Sequence, residues 1–278
     1  MDILLTGIVR SGTTLACHLL NKVAGTVALH EPMNPATLVG LDDRGRLDAI
    51  AAFCADQRRS LLSSGTATCM AVGGAVPDNP YGSARGPDGL RRSIVALESV
   101  RFDKPLGPDF TLVVKHPNAF TALLPLLVTR FPCRAIVRNP LATLLSMHST
   151  QANWTHGRVP MAEAFDGALA AALDRETDVV TRQLRIVAFS FGRYAECLPR
   201  AAVIRYEDII ATGGAALAAV VPAARALAEP LAARNCNPLY DRSVVEELAD
   251  RVLETDAAWQ DHYSRADVTA LRDALVAG

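Results

Sequence analysis

Five short apolar runs recur along the chain, and each ends in a polar cluster that leads into a segment with helical spacing. The runs are Ile3 to Thr6 within Asp2 to Val9, then Thr26 to His30, Phe110 to Val114, Cys133 to Val137 and Ala201 to Arg205. Because they are apolar throughout rather than alternating, they predict strands covered on both faces. Their separation by helical patterns predicts that those strands run parallel. The expected fold is α/β: a five-stranded, mainly parallel sheet with helices on both faces and one ligand crevice at the strands' C-terminal ends. A single domain over 1–278 is expected, since a chain of this length can bury one large core.

Helical spacing covers Leu15 to Val23, Arg46 to Leu62, Asn118 to Arg130, Leu141 to Thr150, Ala162 to Leu173 and Thr177 to Cys197. In the tail, Ser243 is the expected cap of a helix over Val244 to Trp259, and Asp267 that of a last helix, Val268 to Val276. Between about 63 and 108 the pattern fails. The turn clusters Gly73-Gly74, Pro77-Asp78-Asn79-Pro80 and Gly86-Pro87-Asp88-Gly89 leave room for one expected helix, Leu90 to Val100. This loop-rich insertion is read as a lid or acceptor-binding region, and the loop Trp154 to Arg158 as further acceptor surface.

The first strand-to-helix corner reads Gly7-Ile8-Val9-Arg10-Ser11-Gly12-Thr13-Thr14. Its glycines have the spacing of a P-loop, but Thr13 stands where a nucleoside-triphosphatase has lysine, and Arg10 is the only cation in the loop. Amides in the first turn of a helix have no intrahelical partner, and the helix dipole adds positive charge there. A Gly-loosened turn that gathers those amides therefore holds an anion. Thr13 and Thr14 add hydroxyl donors. A bound phosphate is expected; the plainer reading is a Gly-rich turn capped by Ser11 or Thr13.

The other strand ends carry their own polar groups. Glu31 follows the second strand on the same rim as the loop. A carboxylate beside an anion site needs a separate task, and taking a proton from a hydroxyl is one; otherwise Glu31 is a turn residue or a partner for Arg10. Lys115 closes a fully apolar strand, where an unpaired ammonium is costly, so it faces either a ligand anion or a carboxylate. His116 is the alternative base, or a hydrogen-bonded turn residue. Arg138 closes the fourth strand, Pro140 suits a first helical position, and Ser146 lies in the helix that follows. Together they predict a second anion site with a guanidinium able to bind bidentately; the alternative is a strand-end Arg and an ordinary helix Ser.

Composition narrows the function class. The formal net charge is -1, from 28 Lys and Arg against 29 Asp and Glu, which excludes a basic field for nucleic acid; any anion is held by a local site. The six cysteines (Cys17, Cys54, Cys69, Cys133, Cys197 and Cys236) show no C-x-x-C pair and no zinc spacing. They are read as small buried hydrophobes in a reducing compartment, and no metal is expected. The first strand begins within three residues of Met1, and the most apolar stretch, Ala215 to Ala233, is broken by Pro222, Arg225, Glu229 and Pro230. A cytoplasmic protein without a transmembrane segment is expected.

The set Arg10-Ser11-Gly12-Thr13-Thr14, Lys115-x-Pro117, Arg138-x-Pro140 with Ser146, and Tyr206-Glu207-Asp208-Ile209 resembles the sulfotransferase family that uses 3'-phosphoadenosine 5'-phosphosulfate (PAPS). The motifs span residues 7 to about 209. The resemblance implies a P-loop-containing sulfotransferase-like fold and transfer of a sulfuryl group from PAPS to a hydroxyl of a small-molecule, carbohydrate or lipid acceptor, with 3',5'-diphosphoadenosine as product. It implies that Arg10 to Thr14 hold the 5'-phosphosulfate, that Arg138 and Ser146 hold the 3'-phosphate, and that Tyr206 lies against the adenine. Arg10 and Lys115 would meet the bridging oxygen and the sulfuryl group. The position of Glu31, 21 residues after Arg10, is similar to that of the catalytic carboxylate in the tyrosylprotein sulfotransferase-like branch. In the cytosolic branch the catalytic His stands two residues after the Lys, and here His116 stands one after. The chain lacks the family's C-terminal Arg-Lys-Gly element, for which Arg234, Asn235 or Asn237 would substitute. Two other readings remain from the residues: a P-loop kinase using ATP, and a non-catalytic nucleotide-binding protein on the same scaffold.

Overall fold

The structure, a computed structural model, describes residues 1–235 and 240–277. Its strands are β1 (Asp2–Gly7), β2 (Thr26–His30), β3 (Thr66–Ala71), β4 (Tyr81–Arg85), β5 (Arg91–Ser93), β6 (Ala96–Arg101), β7 (Thr111–Lys115), β8 (Cys133–Val137) and β9 (Val203–Arg205). Five of them form one parallel sheet in the order β2-β7-β1-β8-β9. Consecutive residues of β1, β7 and β8 are buried, because helices cover both faces; that is why these strands read as unbroken apolar runs. The chain leaves β1 toward one edge, returns through β7, and crosses to β8 on the other side of β1. In an open α/β sheet such a reversal opens a crevice beyond the strands' C-terminal ends.

The helices are α1 (Thr13–Leu20), α2 (Asp43–Ser64), α3 (Pro117–Ala122), α4 (Leu124–Leu127), α5 (Pro140–His148), α6 (Pro160–Glu163), α7 (Gly167–Asp174), α8 (Val179–Cys197), α9 (Tyr206–Ala211), α10 (Arg242–Leu253) and α11 (Arg265–Ala277). The continuous helix expected over Asn118 to Arg130 is broken at Leu123. Pro125 has no amide to donate, and its ring displaces the carbonyl four residues back. The segment expected as one helix from Ala162 to Leu173 is likewise two, with Asp166 capping the second by accepting from Leu169 N at 2.8 Å. In the tail, Asp241 rather than Ser243 caps α10. The helix assigned to start after Asp267 starts at Arg265: Ser264 Oγ accepts from Asp267 N, and the Asp267 carboxylate accepts from Ser264 N at 2.7 Å, a reciprocal cap one turn earlier.

The largest departure is the insertion. The helix expected over Leu90 to Val100 is instead two strands, and the region read as loops holds two antiparallel pairs, β3 with β6 and β4 with β5. Leu, Arg, Ala and Glu favour a helix locally, but the preference is weak, and a full six-residue ladder to β3 overrides it. The β4–β5 hairpin is tied to the end of α5: Arg91 N donates to Ser149 O at 3.1 Å and Gln151 N to Arg91 O at 2.9 Å.

One apolar cluster runs through the sheet and its helices, from Ile3 to Val268. Cys17, Cys54, Cys69 and Cys133 are free thiols inside it. Cys236, and Asn237 among the candidates for the second anion site, lie outside the described residues. Among the described residues no helix is long and apolar enough to cross a membrane.

Candidate active site

The loop after β1 is held open by two tight contacts and two uncommon backbone conformations. A Cβ on Gly7 would lie 2.5 Å from Ile136 O, and one on Gly12 would lie 2.6 Å from Tyr206 Cδ2, so both positions require glycine. Gly12 precedes α1 in the left-handed region (φ 89°) and no side chain caps the helix. The amides of its first turn are therefore open beside the cleft that Thr13 and Thr14 line. Ser11 does not join them: its Oγ donates to Ile136 O at 2.8 Å and is fully buried, pinning the loop to β8. Among the described residues only two non-glycines have positive φ, Arg10 (69°) and Glu31 (46°). Each such residue costs of order 1–3 kcal/mol and persists only where its surroundings over-determine it.

Register brings the next group together. Lys115 pairs with His30 across β7 and β2 and with Leu5 across β7 and β1, and directly paired residues share a face. Lys115, 2% exposed, donates to Glu31 Oε1 at 2.6 Å and lies 3.1 Å from His30 Nδ1. With an ammonium as its donor, His30 Nδ1 accepts, which leaves the ring proton on Nε2. Burial together with the Lys115 charge lowers the His30 imidazole to about 3, so it is neutral. Burial pushes the Glu31 carboxyl up, but the charge and hydrogen bond of Lys115, with His30 and His116, outweigh it and bring Glu31 down to about 2. Glu31 is thus an ionised carboxylate, and its side chain is 38% exposed to the cleft.

His116 sits behind this group. Its ring packs edge-on against Phe120 at 5.1 Å, its Nε2 accepts from Met33 N at 3.4 Å, and burial lowers it to about 4. It does not line the cavity.

The third group gathers at the C-terminal end of β8. Arg138, 6% exposed, donates through Nε to Asn235 Oδ1 at 2.8 Å, through Nη1 to Arg10 O at 3.1 Å and through Nη2 to Arg234 O at 2.6 Å. Its guanidinium lies over the Tyr206 ring, 4.8 Å from the centroid, so the ring is held between Arg138 and Gly12. Tyr206 Oη accepts from Arg234 N at 3.2 Å. Glu207 organises the arrangement, accepting from Asn139 N at 3.1 Å, Asn235 Nδ2 at 2.9 Å and Tyr263 Oη at 2.6 Å. Arg10 completes the junction: its Nε donates to Ser146 Oγ at 3.1 Å and its guanidinium lies 4.5 Å from the Tyr81 ring centroid. Burial, with Arg91 and Arg138 nearby, lowers Arg10 to about 10.

These groups open onto a single cavity of about 570 Å³. Of the residues named from the sequence, Arg10, Gly12, Thr13, Thr14, Glu31, Lys115, Arg138, Ser146 and Tyr206 line it; Ser11 and His116 do not. The sequence reading did not single out several other lining residues, among them His30, Tyr81 and Arg91. His30 directly precedes Glu31 at a strand end, which was the available signal, whereas Tyr81 and Arg91 belong to the insertion whose strands have no local signature.

No family model matches the chain, and no curated protein matches it in sequence. Among solved structures the chain is similar to the crystal structure of a sulfotransferase, STF1, from Mycobacterium tuberculosis, at 16% identity and a TM-score of 0.33, over 100% of this chain and 76% of that one.

Proposed function

We propose that the protein is a sulfotransferase that moves the sulfuryl group of PAPS to a hydroxyl of a small-molecule, carbohydrate or lipid acceptor. The observation that carries this reading is the cavity itself. It joins an uncapped helix start and a cluster of guanidiniums to an ionised carboxylate held by a buried lysine. Among the described residues no carboxylate lies within 4.0 Å of Arg10, Arg91 or Arg138, so their charge fits a ligand with several anionic groups. PAPS suits that donor set and would supply an activated sulfuryl group. Arg10 with the first-turn amides of α1 would hold its 5' end, and Arg138 with Ser146 the end bearing the 3'-phosphate. With Thr13 in place of the P-loop lysine, a triphosphate reading has less support.

The chain's own residues divide the chemistry. Glu31 accepts the hydroxyl proton of the acceptor, a role worth about 100- to 10,000-fold. Lys115 Nζ and Arg10 place positive charge where negative charge develops, and removal of one such group costs roughly 2.7–4 kcal/mol. Lys115 also sets the basicity of Glu31. An anion that draws Nζ away weakens the influence that holds the carboxyl down, so basicity rises when the site is loaded. Arg138, Asn235 and Glu207 position the segment that closes the nucleotide end.

The test is transfer of label from PAPS to a panel of phenolic, carbohydrate and lipid hydroxyls, alongside binding of 3',5'-diphosphoadenosine and ADP. Transfer with a preference for the 3',5'-diphosphate is expected. Equal affinity for the two, or magnesium-dependent ATP turnover that survives Arg138→Ala, would replace this reading with the kinase one.

A further inference from the structure

We infer that Arg91, on the β4–β5 hairpin, is a ligand for the second phosphate of the donor nucleotide, a phosphomonoester remote from the α1 loop; this rests on the donor reading above. Arg138 stands at that end of the cavity but has little left to give. Three of its five N–H donors are spent on Asn235 Oδ1 and on two backbone carbonyls, and one face covers Tyr206. Arg91 is the reverse case. Its Nη2 donates to Ser149 Oγ at 2.9 Å, but its Nε is buried without a hydrogen-bond partner among the described residues. A buried N–H left unmade costs free energy, and a guanidinium with an unpaired Nε keeps donor capacity for a phosphate oxygen.

Its surroundings select the ligand. Arg91 lines the cavity with Arg138, Arg234 and Tyr240; the Asp78 carboxylate there pairs with Arg234 at 2.7 Å, and none pairs with Arg91 or Arg138 among the described residues. Burial comes first in lowering its ionisation, and Arg85, Arg234 and Arg138 add to it. Like charges held together at a half-buried edge are stabilised by an anion that arrives with the ligand. Glu31 and Lys115 neutralise one another at the other end, so a second anionic group is drawn to the arginine end. Arg91 is also anchored, through its own N–H and C=O, to Ser149 and Gln151 at the end of the helix that carries Ser146. The hairpin therefore provides a fixed guanidinium at the Arg138 end of the cavity.

The test is calorimetric titration of the full chain, Arg91→Ala and Arg91→Lys with 3',5'-diphosphoadenosine and with adenosine 5'-monophosphate, each variant's thermal unfolding being recorded without ligand. For Arg91→Ala the expected result is a loss of about tenfold or more for the diphosphate and little change for the monophosphate. Arg91→Lys keeps the charge without the fork, so a smaller loss confined to the diphosphate is expected. Unchanged affinity for both ligands, or an equal loss for both, overturns the role of Arg91 and leaves the donor reading standing while the unaltered chain still prefers the diphosphate. If the unaltered chain does not distinguish the two ligands, the donor reading falls and the role of Arg91 falls with it. Should Arg91→Ala fail to fold, the Arg91→Lys comparison decides.

Discussion

The two ends of the cleft handle charge in opposite ways. At the Glu31 end the cation is matched inside the protein: buried Lys115 holds a carboxylate at 2.6 Å and a neutral imidazole at 3.1 Å. Toward the Arg138 end, Arg10, Arg91 and Arg138 have no carboxylate within 4.0 Å among the described residues, and Arg234 is paired with Asp78 at 2.7 Å. A compensated end can poise a proton acceptor without attracting ions, and an uncompensated end can attract a polyanion without doing proton chemistry. The two ends thus differ in charge about one cavity, with Arg10 at the junction through Ser146 and Arg138.

The comparison breaks most readily at Glu31. Glu31→Gln is expected to slow transfer by about 100- to 10,000-fold while nucleotide affinity holds, since the amide keeps the shape but not the basicity. Binding and transfer lost together would mean that the two ends are not separate.

Lys115→Ala comes next, with transfer expected to fall by about 100- to 1,000-fold. With that charge and hydrogen bond gone, burial acts on Glu31 against only the influence of His30 and His116, so its ionisation moves up from about 2. The acid limb of the pH-rate profile, or the carboxyl carbon shift in an NMR titration, should follow it upward. A profile that stays in place would show that Lys115 does not set the basicity of Glu31.

Gly12→Ala sharpens the binding side. The left-handed conformation costs roughly 1–2 kcal/mol for a residue with a Cβ, and the new methyl overlaps the Tyr206 ring. Lower stability in denaturant melts and weaker nucleotide binding are expected together; full binding by the variant would place the anion elsewhere.

The smallest effect concerns His116. Its ionisation falls from 6.5 to about 4 on burial, so the unfolded chain takes up a proton that the folded chain refuses. The resulting stability is present above about pH 6.5 and is lost as pH falls toward 4. His116→Phe should flatten the dependence of Tm on pH across that interval. An unchanged slope would assign the loss to His30, which burial lowers to about 3.

Much of this arrangement was legible before the fold was known. Gly7, Arg10 and Gly12 mark the corner because a strand followed at once by a helix leaves few conformations for the turn. Glu31, Lys115 and Arg138 could be placed on one rim because parallel strands present their C-terminal ends together. Lys115 also carried its own warning, since an ammonium at the end of an apolar strand needs a partner. His30 shows locally only as a strand end beside Glu31; its contact with Lys115, 85 positions away, is set by sheet register.

What the sequence determined by itself, then, was the α/β architecture and the positions where chemistry gathers, since apolar runs, glycines and prolines act through forces a few residues long. Tertiary structure alone decided which charges are matched. It joined Lys115 to Glu31 rather than Glu31 to Arg10, spent Arg138 on Arg10 O, Arg234 O and Asn235 Oδ1, and turned Leu90 to Val100 from helix-favouring residues into strands. That turn put Arg91 in the cleft. Charge pairing and strand pairing both depend on groups far apart in the chain, so their outcome is set only when the sheet's register brings those groups within reach.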